Sequence, residues 1–186
     1  MNPTFNQKEF DELTTNLRDL AYSYLEKYSP SKQQLKIYLL KKYLKKFSKS
    51  KERKNISEII EKIVTNLENN KFINDELYSD SKARSMLKKG YSLNKINQSL
   101  RNKGIDQKYI SSSLSKIKKD QIEPDFVSAL KLCKKRRIGA IRPVANREIF
   151  YKKDMGILAR AGFSFEISKK ILELEKNEFE KLIKII

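Results

Sequence analysis

Histidine is absent from this 186-residue chain, and cysteine occurs once, at Cys133. Without histidine the commonest general base, the commonest metal ligand and every Ser-His or Cys-His nucleophilic pair are gone. A lone cysteine forms no intramolecular disulfide. Cys133 falls in helical register with Phe126, Ala129 and Leu130 and reads as a small core residue rather than a nucleophile. The five glycines are scattered at 90, 104, 139, 156 and 162, so there is no Gly-rich phosphate loop. No apolar run approaches the length of a membrane span, and the segment MNPTFNQKEFDE lacks the basic-then-apolar order of a signal peptide. The expectation is a reduced, cytoplasmic chain with no membrane contact, no cofactor and no metal. Asp75, Glu76 and Asp80 lie near one another, but Asp75 and Asp80 share a helix face poorly. They read as caps and solvated positions rather than a catalytic pair, so the chain reads as no enzyme.

Four prolines and almost no β-branched alternation leave one dominant pattern, apolar residues at a period of 3.6. The chain reads as all-α. A first helix over 8–28 carries Leu13, Leu17, Leu20, Ala21, Tyr24, Leu25 and Tyr28 as its stripe. Ser31, with Gln34 three residues on, has the form of a capping box opening a helix over 32–46. Ser57 is placed to cap a third helix over 58–69. Helices follow over 73–88, with Leu77, Tyr78, Met86 and Leu87 on one face, then over 93–103 behind Ser92 and over 107–118 behind Asp106. Gly90 and Gly104 are placed as helix stops. After Pro124 the pattern gives helices over 125–137, 146–161 and 165–175, then a helical tail over 176–186. The segment Ala161-Gly162-Phe163-Ser164 echoes Lys89-Gly90-Tyr91-Ser92. This recurrence predicts tandem three-helix units over 1–70, 71–120 and 121–186, each completing its neighbour's core.

The formal net charge is +18 and it is unevenly placed. Residues 1–30 sum to −2 and residues 166–186 to 0, which leaves +20 in the middle. Such a concentration points to a polyanionic partner, whether nucleic acid or an acidic protein surface. An AT-rich genome also enriches lysine, so the 32 lysines alone do not decide between binding and a solvated face. Three basic clusters stand out. Lys41 to Lys54 holds eight bases against Glu52, with Tyr43 and Phe47 interleaved, readable as base-stacking rings or as core. Lys82 to Lys119 holds eleven bases against Asp106. Within it Arg84, Lys88 and Lys89 lie near the Gly90 turn. Lys95, Arg101 and Lys103 fall off the face of Leu93, Ile96 and Leu100 and are expected outward. Lys131 to Lys153 holds nine bases against Glu148, and four are Arg136, Arg137, Arg142 and Arg147. Arginine is not explained by lysine bias, and its planar fork suits phosphates and carboxylates. For Arg136 and Arg137, complementing a helix C-terminus is the structural alternative.

The central segment resembles the RecX family of bacterial recombination regulators. The matching residues are Phe72-Ile73-Asn74-Asp75, Tyr78, Arg84, Gly90, Ile96, Leu100 and Lys103-Gly104-Ile105, in the family's order. Ser31, Leu35 and Leu39 resemble the second helix of its first unit. Arg160-Ala161-Gly162-Phe163-Ser164-Phe165-Glu166 with Ile171 and Leu172 resembles its final junction. Gln34 stands where the family often carries an acid, and the Lys45 to Lys54 connector is long. The resemblance implies three tandem three-helix units in an elongated, curved array. It also implies no catalysis and binding in the groove of a RecA–DNA filament, and the chain is expected to act as a monomer. Strand exchange, ATP hydrolysis and coprotease activity would be inhibited there. The expected contacts to filament and DNA phosphates are Arg84, Lys88, Lys89, Lys95, Arg101, Lys103, Arg136, Arg137, Arg142 and Arg147. Two other readings stay open. One is a helix-turn-helix DNA-binding module, with a recognition helix beginning Asp106-Gln107-Lys108-Tyr109. The other is a basic protein of RNA processing or translation.

Overall fold

A computed structural model describes residues 7–46 and 53–185. Phe47 and most of the basic connector to Lys54 lie outside the described residues. The described residues form ten α-helices and one short 3-10 turn, with no strand among them. The all-α expectation therefore holds. The chain divides into two compact units, residues 1–78 with 103–105, and residues 79–102 with 106–186.

In the first unit α1 (Gln7–Leu25), α2 (Lys32–Lys46) and α3 (Arg53–Asn69) bury one apolar core. Leu13, Leu17 and Ala21 meet Leu35, Leu39 and Tyr43, and both sets meet Ile56, Ile60, Ile63 and Leu67. Tyr43 is only 3% exposed, so its ring belongs to the core and is not a stacking platform. Ser57 does not cap α3, which begins at Arg53. Ile56 is buried in register with Ile59, Ile60 and Ile63, and that burial carries the helix back past Ser57. Tyr28 is 58% exposed because α1 ends three residues before it.

The second unit holds most of α4 (Asp75–Lys88), then α5 (Leu93–Arg101), α6 (Gln107–Asp120) and α7 (Pro124–Arg136). After the 3-10 turn Gly139–Ile141 come α8 (Val144–Arg160), α9 (Phe165–Leu172) and α10 (Lys176–Ile185). Its core gathers Leu130, Cys133, Ile138, Leu158, Phe163 and Ile171. Cys133 is fully buried, and burial together with the nearby Asp154 charge pushes its thiol up to about 12. It is a core residue, as its register indicates. Leu77, expected inward, is 65% exposed. The inward face of α4 is instead Asp75, Ser79, Ala83 and Met86, and Leu77 is rotated away from it.

The caps show why the helices start where they do. Ser31 N–H donates to Gln34 Oε1 at 3.1 Å while Gln34 N–H donates to Ser31 Oγ at 3.2 Å, a reciprocal capping box. Ser92 Oγ accepts from Lys95 N–H, Asp106 Oδ1 from Lys108 N–H and Ser164 Oγ from Ile167 N–H.

One arrangement occurs in each compact unit. In the first, Lys32 N–H donates to the Asp75 carboxylate at 2.9 Å and Ser31 Oγ donates to Lys103 C=O at 2.8 Å. In the second, Leu93 N–H donates to the Asp125 carboxylate at 2.7 Å and Ser92 N–H donates to Ala161 C=O at 3.1 Å. In both, a glycine follows the accepting carbonyl. A Cβ on Gly104 would stand 2.5 Å from Gln33 Cβ, and one on Gly162 would stand 2.5 Å from Ser92 Oγ. Both glycines also have φ values of the left-handed region, +72° and +91°. Only glycine meets both conditions without strain.

Candidate functional site

Three helices of the second unit stop in the same way. Behind α4, Tyr91 N–H donates to Met86 C=O and Gly90 N–H to Leu87 C=O. Behind α7, Ile138 N–H donates to Cys133 C=O and Arg137 N–H to Lys134 C=O. Behind α8, Phe163 N–H donates to Leu158 C=O and Gly162 N–H to Ala159 C=O. Each is a Schellman motif with a left-handed residue after the helix. Gly90 and Gly162 fill that position twice, but the third is Arg137 at φ +53°. In each motif the residue after the left-handed one (Tyr91, Ile138 or Phe163) turns back onto the core.

These three ends converge on one concavity. Lys89 from the end of α4, Lys135 and Arg136 from the last turn of α7 and Arg160 from the last turn of α8 line a groove of about 320 Å³. Tyr91, Leu132, Ile157 and Ala161 form its apolar wall. No carboxylate lines it. All four cations are exposed, and none ion-pairs with a described carboxylate. Helix dipoles account for part of this placement. Three helix C-termini together present about −1.5 elementary charges, against four full positive ones, so the groove stays positive. An anion seated there would interact favourably with all four cations in a partly water-excluded site.

The expected contact residues divide three ways. Lys89 and Arg136 meet in the groove, with Lys88 and Arg137 exposed beside them in sequence. Arg84 and Arg101 are exposed but engaged. Arg84 Nη2 is 3.0 Å from Asp120 Oδ2 with both side chains about half exposed, and Arg101 Nε donates to Gln107 Oε1 at 3.0 Å. Such exposed links are weak, so both arginines remain available to an anion. Lys95 and Lys103 are half-buried rather than fully outward. Lys95 Nζ is 3.3 Å from Gln98 Oε1.

Arg142 and Arg147 are taken up inside the fold. Arg142 Nε and Nη2 each donate to Asp154 at 2.7 Å in a bidentate pair, with Asp154 only 2% exposed. The hydrogen bonds that Arg142 donates to Asp154 raise its pKa above the ordinary value. Asp154 also accepts Gly139 N–H at 3.1 Å, and Arg142 lies over the Phe150 ring at 4.5 Å. Arg147 Nη2 donates to Ala140 C=O at 2.8 Å. Together they brace the Gly139–Ile141 turn and its flank. The sequence-based set omits Lys135 and Arg160. The signal for both was local, since each groove cation sits just before a helix stop.

Asp80 anchors the α4–α6 contact, accepting from Ser113 Oγ at 2.5 Å and from Lys116 Nζ at 2.6 Å. Burial, the largest single influence, opposes its ionisation, but those two hydrogen bonds together with the charges of Lys116 and Arg84 outweigh it and hold its carboxyl below the usual range. Among the described residues no group of three or more His, Cys, Asp or Glu side chains could hold a metal, and no helix is long and apolar enough to cross a membrane.

The chain is thus an all-α helical-repeat protein with a carboxylate-free basic groove. Residues 74–114 match the family model described as RecX, second three-helix domain. A regulatory protein RecX from Myxococcus xanthus (strain DK1622) is 34% identical over 161 residues, covering 86% of this chain and 85% of its own length. A second, from Agrobacterium fabrum, is 30% identical over 113 residues, 61% of this chain and 58% of its own length. A crystal structure of regulatory protein RecX aligns with TM-score 0.62 at 24% identity over 94% of this chain and 83% of that one. The crystal structure of RecX from Lactobacillus salivarius aligns with TM-score 0.59 at 20% identity over 95% and 99%. At those identities the structures establish the fold. The chain belongs to the RecX family of regulatory proteins.

Proposed function

We propose that this protein binds the RecA–DNA filament as a monomer and inhibits recombinase, ATPase and coprotease activities without doing chemistry itself. The observation that carries the reading is the groove where Lys89, Lys135, Arg136 and Arg160 meet with no carboxylate among them. Family membership supplies the partner. A filament offers acidic protein surface and DNA phosphates side by side, and exposed cations supply steering and salt-dependent affinity to both. Arg84, Lys88, Arg101 and Arg137 extend the contact, while Lys95 and Lys103 contribute at its edge. Arg142 and Arg147 serve the fold. Inhibition follows from occupying space that a second DNA or a substrate protein needs.

The helix-turn-helix reading is less well supported. Asp106 is spent capping its own helix and, as a carboxylate, would face DNA phosphates. The start of α6 is therefore poorly suited to read bases. RecA ATPase and strand exchange with the purified protein test the proposal. Both activities should fall at stoichiometric protein and low salt, and no effect under those conditions would overturn it.

A further inference from the structure

We propose that the basic groove of the second unit receives an acidic peptide segment carrying an apolar anchor residue, and not a nucleotide. The inference rests on reading this groove as a working surface and names the chemistry of what enters it.

The wall decides between the two ligands. Lys89, Lys135, Arg136 and Arg160 form a cationic rim that would accept phosphates or carboxylates equally well. The remaining lining residues are Tyr91, Leu132, Ile157 and Ala161, whose one polar side-chain group is the Tyr91 hydroxyl. A base entering such a wall gives up hydrogen bonds to water and finds few to replace them, which is costly. An aliphatic or aromatic side chain entering the same wall gives up none and buries apolar area. Leu132 is 7% exposed and Ala161 5%, so both are packed from behind, and the half-buried Tyr91 and Ile157 present most of the wall's apolar surface. The backbone carbonyl of Ala161 is already engaged by Ser92 N–H at 3.1 Å. The Lys135 and Arg136 side chains stand on a helix end anchored by the Ile138 turn. The rim is therefore held by three fixed helix ends and is not a mobile loop.

The probe is a short labelled peptide in which glutamates flank a single phenylalanine, measured by anisotropy against the intact protein. A matched peptide with the phenylalanine replaced by alanine and an oligothymidylate of equal charge complete the set. The phenylalanine peptide should bind in a salt-sensitive manner. The alanine peptide should bind at least about fivefold more weakly. Arg136→Gln with Arg160→Gln should weaken the phenylalanine peptide by about tenfold or more. Both positions are exposed, and an unchanged melting curve confirms folding. Arg18→Gln with Lys62→Gln, which removes equal charge from a cavity of the first unit, should leave binding within about twofold. Equal binding of the two peptides would overturn the inference. So would oligothymidylate binding as tightly with the same loss in the Arg136/Arg160 variant, or no peptide binding at all. RecA inhibition by the intact protein is scored separately, so a failed peptide experiment leaves the filament reading standing on its own assay.

Discussion

The carboxylate of Asp75 accepts the backbone N–H of Lys32, and it does so from a position only 5% exposed to solvent. Asp125, half-buried, likewise accepts the backbone N–H of Leu93. Each acid supplies, from another helix, a hydrogen bond that the first turn of its target helix cannot make for itself. Burial, the larger influence, raises both carboxyl pKa values despite the stabilising N–H contacts.

Two variants of Asp75 separate its hydrogen bond from its charge. Asp75→Ala should lose about 1–2 kcal/mol in denaturant unfolding at neutral pH, since the Lys32 N–H is left unsatisfied. Asp75→Asn keeps an acceptor and should be at least as stable as the parent there. The sign follows from the raised pKa: the folded state holds the proton more tightly, so ionisation costs stability as pH rises through the folded value. The advantage of the asparagine variant should shrink below the ordinary carboxyl value of 3.8.

Asp80 should behave in the opposite way. Its folded pKa is depressed by Lys116 and Ser113, so its contribution is present above 3.8 and is lost as pH falls through the folded value. Asp80→Asn should cost about 1 kcal/mol at neutral pH, and the difference from the parent should vanish in acid. Thermal melts across pH 2–7, read by circular dichroism, check both acids together.

Breaking the Arg142–Asp154 pair should be damaging for structural reasons. Arg142→Ala strands a carboxylate that is 2% exposed and should destabilise by roughly 3 kcal/mol or more. Replacing both residues by Met and Leu should recover part of that loss, the remainder reflecting the Gly139 N–H that Asp154 no longer accepts. If Arg142→Ala instead left stability intact while abolishing RecA inhibition, its place would be on the contact surface and not in the fold.

Arg137 occupies a left-handed position that Gly90 and Gly162 fill at the equivalent stops. Arg137→Gly should therefore raise stability by roughly 0.5–1 kcal/mol, a gain of a few degrees in Tm. On the proposed function, the gain should come with a modest loss of RecA inhibition at low salt, because one exposed cation is removed.

The sequence was most informative where the physics was local. The Ser31–Gln34 capping box, the Ser92 and Asp106 caps, the glycine stops and the burial of Cys133 depend on residues within a few positions of one another. Ser57 was misread because a strong capping residue was outweighed by Ile56, whose burial no local rule reveals. Leu77 was misread because α4 turns its Asp75–Ser79–Ala83 face inward, a choice set by the carboxylate's contact 43 residues away. The candidate site was half legible. Lys89 and Arg136 were identified by charge, but nothing in the sequence placed them in one groove with Arg160. Arg142 and Arg147 carried the same charge signal, and only Asp154 and the carbonyl of Ala140 distinguish them from groove residues.

The seam built by Asp75 and Asp125 grips the main chain of its target helix and not its side chains. A first-turn N–H is supplied by lysine at 32 and by leucine at 93 alike, so the residue there is free to change without loosening the joint. The neighbouring glycine adds a requirement for the absence of a side chain, and again asks nothing specific of the helix it touches. A chain assembled in this way can let its repeated segments diverge almost beyond recognition while keeping their joints. Only a few small or acidic positions need persist, which fits the faint internal echo in this sequence although the acid-to-N–H contact and the glycine beside it recur in both units.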